Sequence, residues 1–117
     1  MILLAANWKM APDTPKAALA LAKKTATIAR NTKKKLGLVI CAPYIHIPII
    51  SKHIRPAFLG AQSTASTDTV VSTGLVSAGM LKSAGVAYCI VGHSEARARG
   101  ENNDTEKAQL DQLIAKN

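Results

Sequence analysis

The sequence is poor in aromatic residues and contains no long apolar run. Phe, Trp and Tyr make up 3% of its 117 residues, so Ala, Val, Ile and Leu must fill the core, which suits strands and helices packed in layers. No apolar run reaches the ~18 residues of a membrane span, and no basic segment precedes the first apolar residues, so neither a membrane segment nor a secretory signal is expected. With 48% apolar residues, one folded domain over residues 1–117 is predicted.

Cysteine is also scarce. Cys41 and Cys89 lie far apart, each in an apolar run, with no Cys-x-x-Cys pair and no Cys/His spacing typical of zinc. We therefore expect two buried, reduced thiols in a cytoplasmic protein, without a metal site.

Acidic residues are few, and the formal net charge is +8. A basic surface can attract nucleic acid, acidic lipid or an anionic metabolite. The tight basic run Lys33–Lys35 has no interleaved aromatic residue, and no helix-turn-helix, KH or RRM signature is present. The run is interpreted as the closing end of a helix, where positive charge suits the helix dipole, and no nucleic-acid partner is predicted.

Four strands and four helices are predicted to alternate along the chain. Apolar runs predict strands, the first of them buried on both faces, and Ala/Leu/Lys-rich periodic segments predict helices. The strands are Ile2–Ala6, Leu38–Ala42, Pro56–Ala61 and Tyr88–Val91; the helices are Lys16–Asn31, His46–His53, Met80–Ala84 and Thr105–Ala115. Asp13 or Thr14 is predicted to cap the first helix, and Asn103 or Asp104 the last. A long polar loop is predicted over Ser63–Ser77.

This alternation predicts an α/β fold with a parallel sheet. An open flavodoxin-like sheet and half of an eight-stranded barrel both fit. Asn7 and Lys9 follow the first strand, and His93, Ser94 and Glu95 follow the fourth. Carboxyl ends of parallel strands carry ligand sites in such folds, so these residues are the candidate site. His46 and His53 have no identifiable partners and are interpreted as surface or packing residues.

Five motifs, in order, resemble the triosephosphate isomerase family. They are Ala6-Asn7-Trp8-Lys9-Met10, Cys41-Ala42-Pro43-Tyr44, Gly60-Ala61-Gln62, Thr73-Gly74 with Ser77-Ala78-Gly79-Met80-Leu81, and Tyr88 to Glu95. The resemblance runs over essentially the whole chain but covers only the first half of the family's barrel. It implies (β/α) units 1–4 of a TIM (β/α)8 barrel, completed by a second half or by a partner chain.

The resemblance also implies the chemistry. Members of the family interconvert dihydroxyacetone phosphate and glyceraldehyde 3-phosphate through an enediolate, with no cofactor. By resemblance, Asn7 and Lys9 bind substrate, and His93 is a neutral electrophile at the start of a helical turn. Ser94 caps that turn, and Glu95 holds Lys9, so Lys9, His93 and Glu95 form the expected catalytic group. The family's catalytic Glu follows the sixth strand, so the missing half must supply it.

The same resemblance implies a homodimer of full barrels, with Gln62, Thr73, Gly74 and Leu75 at its interface. Leu75 stands where the family usually has Glu, and Ala96 where it usually has Arg. The joint loss removes an ion pair without leaving one charge unpaired, so an apolar contact is expected there. The alternative to the enzyme is a non-catalytic half-barrel that self-associates, as a fragment or as a binding module.

Overall fold

The computed structural model describes residues 2–32 and 36–117. Along these residues strands and helices alternate, with a 3₁₀ turn at Tyr44–His46 and, after the fourth strand, a short helix where the resemblance implied only a helical turn. In chain order the elements are β1 (Ile2–Asn7), α1 (Pro15–Asn31), β2 (Leu36–Ala42), α2 (Ile47–Ile50), β3 (Phe58–Ala61), α3 (Ala78–Ser83), β4 (Tyr88–Cys89), α4 (Ser94–Ala98) and α5 (Asn103–Ala115). Among the described residues, no helix is both long and apolar enough to cross a membrane.

The four strands form one parallel sheet in the order β1-β2-β3-β4. In its register, Asn7 lies opposite Cys41, and Ala61 lies opposite Cys89. All four carboxyl ends therefore meet at one edge of the sheet. This confirms the predicted alternation and brings the polar residues that follow β1 and β4 to the same edge.

The core lies between the sheet and its helices. Small residues of α1 face the sheet and let the helix approach it closely, and larger aliphatic residues of β2, α2 and β3 fill the remaining space. The buried cluster contains Ala18, Ala22, Leu38, Ile40, Ala42, Ile47, Ile50, Ile54, Ala57, Leu59, Ala61 and Leu81. Trp8 packs against this cluster, whereas Asn7 belongs to the opposite face of β1.

Side-chain oxygens cap the amino-terminal ends of three helices. Thr14 caps α1, as predicted, and Ser77 caps α3. Asn102, rather than Asn103 or Asp104, caps α5 and accepts a hydrogen bond from the N–H of Thr105. The basic run that was expected to close the first helix, at residues 33–35, lies outside the described residues.

The prediction that the first strand is buried on both faces was wrong. Ile2 is 71% exposed and Leu4 is 55% exposed, because β1 is an edge strand with β2 as its one neighbour among the described strands. The opposite edge strand, β4, ends at Cys89, two residues earlier than predicted, and Cys89 is only half-buried for the same reason. Cys41, on the inner strand β2, is buried as expected.

The second helix is shorter than predicted, since α2 ends at Ile50 and residues 51–53 form a turn. His46 is a packing residue: it is buried, and its Nε2 lies 2.6 Å from the carbonyl oxygen of Pro12. A carbonyl can only accept, so Nε2 carries the proton. His53 lies on the surface, and both positions agree with the prediction that these histidines are surface or packing residues.

Candidate functional site

The site begins at an unusual backbone conformation just after β1. Lys9 has φ of 54°, the left-handed region that non-glycine residues rarely adopt. Its N–H donates a 2.9 Å hydrogen bond to Oδ1 of Asn7, and its carbonyl accepts a 2.8 Å bond from the Gln62 amide. These two bonds fix the turn and direct the Lys9 side chain across the sheet edge.

Lys9 meets Glu95 at this edge. The Lys9 ammonium donates a 2.7 Å hydrogen bond to Oε1 of Glu95, joining the segment after β1 to helix α4 across 86 residues of sequence. The contact confirms that Glu95 lies beside Lys9. The pKa of Glu95 is lowered, chiefly by this hydrogen bond. Desolvation opposes the shift, and the positive charge of Lys9 adds a smaller lowering effect.

His93 lies next to the same carboxylate. Its Nδ1 accepts a 3.1 Å hydrogen bond from the backbone N–H of Glu95, and lies 3.8 Å from Oε2 of that residue, beyond hydrogen-bonding distance. Because Nδ1 accepts, the proton of the neutral ring is on Nε2, which is left to act as a donor. The imidazole is about one third exposed, so a ligand can reach it.

His93 also begins helix α4, and this corrects the prediction for Ser94. The His93 side chain is the N-cap, whereas Ser94 is the exposed first residue of the helix. An imidazole nitrogen here satisfies an N–H that a serine hydroxyl was expected to satisfy. The bond that caps the helix thus also fixes the tautomer of the imidazole.

Gly92 makes the turn from β4 into His93 possible. It has φ of 73°, and a Cβ added there would lie 3.2 Å from the carboxyl group of Glu106. That carboxylate is ion-paired with Arg97 of α4, and Arg97 also donates to Oδ1 of Asn103. Helix α5 therefore supports the turn that carries His93, a contribution that the sequence analysis missed because it depends on how α4 and α5 pack.

Gln62, predicted as an interface residue, forms hydrogen bonds within its own chain. Its Nε2 donates to the carbonyl of Lys9 and, at 3.1 Å, to the carbonyl of Cys41. The amide thereby ties the ends of three neighbouring strands together. The sequence signal for this role was that Gln62 directly follows a strand. That position did not predict which carbonyls would accept its hydrogen bonds.

The long loop of residues 62–77 contains the other predicted interface residues. The loop is closed at its base by a 2.8 Å bond from the N–H of Ala65 to the carbonyl of Val76. Beyond this base Thr73, Gly74 and Leu75 are exposed, as are Val70 and Val71 at the tip. Ala96, the other departure from the family pattern, is buried in its own chain. An interface at this loop stays a prediction.

Burial disfavours the reactive thiolate form of both thiols. Neither is in a disulfide, and burial raises the pKa of Cys41 and, with the nearby Cys41 and Glu101 as smaller causes, raises the pKa of Cys89 to about 12. Within residues 2–32 and 36–117 no group of three or more His, Cys, Asp or Glu side chains is arranged to hold a metal ion. The cytoplasmic location inferred from these thiols stays a prediction.

Comparisons with known proteins agree on one family. The family model described as triosephosphate isomerase matches residues 2–117. The chain is 41% identical over 104 residues to the triosephosphate isomerase of Cytophaga hutchinsonii, covering 86% of this chain and 41% of the relative. It is 36% identical over 115 residues to that of Methylococcus capsulatus, covering 96% of this chain and 45% of the relative.

The solved structures agree. The triosephosphate isomerase of Bartonella henselae superposes with a TM-score of 0.82 at 27% identity, over 98% of this chain and 48% of that one. The fold is therefore the first half of a TIM barrel, and the chain spans less than half the length of the relatives it matches. By sequence profile, relatives and fold alike, this chain belongs to the triosephosphate isomerase family.

Proposed function

We propose that this chain forms the amino-terminal half of a triosephosphate isomerase, which interconverts dihydroxyacetone phosphate and D-glyceraldehyde 3-phosphate through an enediolate. One observation carries the proposal: Lys9 from the end of β1 and His93 from the end of β4 converge on Glu95. An ammonium and a neutral N–H donor then lie at one edge, where an anionic substrate with a carbonyl needs both. Family membership supplies the substrate class.

The proposed roles follow from these contacts. Nε2 of His93 donates to the substrate carbonyl oxygen while a proton leaves the adjacent carbon, so that negative charge develops on an oxygen already facing a donor. His93 then moves protons between the two enediolate oxygens, and the proton returned to the second carbon completes the isomerisation. The Lys9 ammonium and the Asn7 amide bind the substrate, and Glu95 is a positioning residue for Lys9.

The base that removes the carbon-bound proton is proposed to come from the complementary half of the barrel. Glu95 is engaged by Lys9, and Glu101 accepts a 3.1 Å bond from the buried Gln109 amide, so neither carboxylate is placed to serve. The exposed apolar face of β1 supports a second half that docks there. A homodimer of such barrels, joined through the loop of residues 62–77, completes the proposal.

Complementation tests this proposal. The chain is mixed with a polypeptide comprising the remainder of the C. hutchinsonii enzyme, and conversion of dihydroxyacetone phosphate is measured. We expect activity in the mixture and none in either component, because each holds part of the catalytic group. His93→Gln and Lys9→Met should each lower kcat/KM by roughly a hundredfold or more, since each removes charge stabilisation of the transition state.

The control is the amino-terminal half of the C. hutchinsonii enzyme itself, which shows that the second polypeptide can be complemented. If that control is active and this chain forms a stoichiometric complex without activity, the isomerase proposal is wrong. Full activity in the His93→Gln mixture would reject the role of His93 alone.

A non-catalytic, self-associating half-barrel is the second candidate, and the exposed Ile2 and Leu4 favour it too. A second copy could cover this face instead of a complementary half. Light scattering of the chain alone separates the two candidates: a stable homo-oligomer that does not exchange with the complementary polypeptide supports self-association.

A further inference from the structure

The positive charge of this chain is concentrated in one part of it. Residues 14–67 contain nine of the fifteen Lys and Arg residues and none of the seven Asp and Glu residues. The rest of the chain contains the other six basic residues and all seven acidic ones. The whole excess of positive charge therefore belongs to the first three β/α units, a pattern that average composition conceals.

Part of this charge surrounds a cleft between the second half of α1 and the turn that follows α2. The cleft has a volume of about 400 Å³, and we name it the basic cleft. Five of its lining residues have basic side chains: Lys23, Arg30, Lys52, His53 and Arg55. Its remaining lining residues are Ala26 and Thr27, so no carboxylate and no Phe, Tyr or Trp side chain lines it.

Arg30 is held in place at the cleft by neutral acceptors. Its guanidinium donates to the hydroxyl of Thr27 at 3.0 Å and to the carbonyl of Arg55 at 3.4 Å. These bonds orient the guanidinium and leave its charge uncompensated, with further N–H donors available. The cleft is thus partly preorganised for an anion, which lowers the entropic cost of binding one.

No ion pair within the described ranges neutralises the cleft. The Lys and Arg residues that pair with carboxylates there are Lys9, Arg97 and Lys107, all outside residues 14–67. Four permanently charged groups around one cleft repel one another, which costs stability unless an anion is bound. Concentrated, unpaired positive charge of this kind is suited to binding an anion.

The basic cleft is separate from the candidate site. Arg55 precedes β3, and the second half of α1 leads back toward the start of β2, so the cleft lies at the amino-terminal edge of the sheet. Lys9 and His93 follow the carboxyl ends of β1 and β4, at the opposite edge. A ligand in the cleft would not compete with a substrate at Lys9.

We propose that the basic cleft binds a small anion that carries at least two phosphate groups. Arg presents a planar fork of donors and Lys a compact charge, and both are suited to phosphate oxygens. Four such groups carry more positive charge than one phosphate, at about −1.5 to −2, can neutralise. The absence of Phe, Tyr and Trp from the lining argues against single-stranded nucleic acid, whose bases bind proteins largely by stacking on such side chains.

Calorimetric titration of the chain with inorganic tripolyphosphate, pyrophosphate and phosphate tests the proposal near ~0.15 M salt. We expect affinity to rise with the number of phosphates. The double variant Lys23→Gln, Lys52→Gln should bind tripolyphosphate at least about tenfold more weakly. The matched control is Lys16→Gln, Lys24→Gln, which removes the same charge from exposed positions of α1 outside the cleft, and it should change affinity by less than about twofold.

Circular dichroism checks that both variants fold, and amide shifts locate the bound anion independently of affinity. Equally weakened tripolyphosphate binding in the two double variants would overturn the proposal, because it would show that only the overall charge of the chain matters. So would the lack of tripolyphosphate binding at ~1 mM, or tighter binding of a 20-nucleotide single strand through the same lysines. None of these readouts depends on isomerase activity.

Discussion

At the scale of single residues, Glu95 holds the two candidate catalytic side chains in different ways. Its carboxylate contacts the ammonium of Lys9, whereas its backbone N–H holds Nδ1 of His93. A substitution of the Glu95 side chain therefore releases Lys9 but keeps the bond to His93. The two contacts can be separated experimentally because one belongs to the side chain and the other to the backbone.

The lowered pKa of Glu95 gives the first prediction. Because Lys9 is its main cause, Lys9→Met should raise the pKa of Glu95 toward its ordinary value, measured by NMR titration of the carboxyl carbon. Lys107→Met is the control, since Lys107 pairs with Asp111 on α5. A pKa of Glu95 that stays low in Lys9→Met would show that the ammonium is not its cause.

The sign of the pH effect follows from the same shift. Glu95 has a lowered pKa in the folded chain, so its contact with Lys9 stabilises the fold above the ordinary carboxyl pKa. That contribution is lost as the pH falls through the lowered pKa. The effect is small because both side chains are largely exposed.

Gln62 gives a second prediction at this scale. Gln62→Glu replaces an amide donor with a carboxylate facing the carbonyls of Lys9 and Cys41, so it should lower the free energy of unfolding by about 1–3 kcal/mol. Chemical denaturation measures this change. Gln112→Glu, the same substitution at a half-buried position of α5, should cost well under half as much. Equal costs would mean that the two hydrogen bonds contribute little.

At the scale of elements, the turn between β4 and α4 determines where His93 lies. Gly92 gives the turn its positive φ, His93 caps the helix, and the Arg97–Glu106 ion pair holds α4 against α5. Three local interactions thus act on a segment of only a few residues. A change in any of them should move the imidazole.

Gly92→Ala tests this turn. Alanine at a φ of 73° costs about 1–2 kcal/mol, and its Cβ would crowd the Glu106 carboxyl group. Gly85→Ala is the matched control, because Gly85 has φ of 84° and a Cβ there would meet nothing within 4 Å. The free energy of unfolding should fall further for Gly92→Ala, and the His93 ring resonances should shift only in that variant. Equal losses of unfolding free energy in the two variants would mean that backbone strain alone explains the destabilisation, without a contribution from crowding at Glu106.

The elements that could be predicted from sequence are those whose signal is local. Apolar runs and helical spacing predicted the alternation of strands and helices along the chain, and the placement of Asn7 and His93 after strands predicted the shared edge. The exposure of Ile2 and Leu4 could not be predicted, because the same apolar run suits an inner strand and an edge strand. His93 as the cap of α4 was missed because Ser ranks far above His at that position. The Gln62 bonds depend on how closely three strand ends approach.

At the scale of the whole molecule, the chain has two unlike surfaces. The edge strand β1 exposes aliphatic side chains on its faces, and the basic cleft exposes uncompensated charge. Covering the apolar surface with another polypeptide lowers the free energy of the system, whereas the positive charge of the basic cleft is stabilised by a bound anion. The edge of β1 is therefore where the proposed complementary half should bind.

Leu4→Lys tests that binding surface. Leu4 is 55% exposed in the chain alone, so the variant should fold as the original does. A docked half-barrel would bury this position, and a lysine there loses about 1.5–3 kcal/mol of apolar burial and adds the cost of desolvating its charge. The dissociation constant for the complementary polypeptide should therefore rise at least about tenfold, measured by calorimetry. Ile28→Lys, at a position 58% exposed on α1, makes a comparable change away from the edge and should leave binding within about twofold. Unchanged binding by Leu4→Lys would mean that the complementary half does not cover β1.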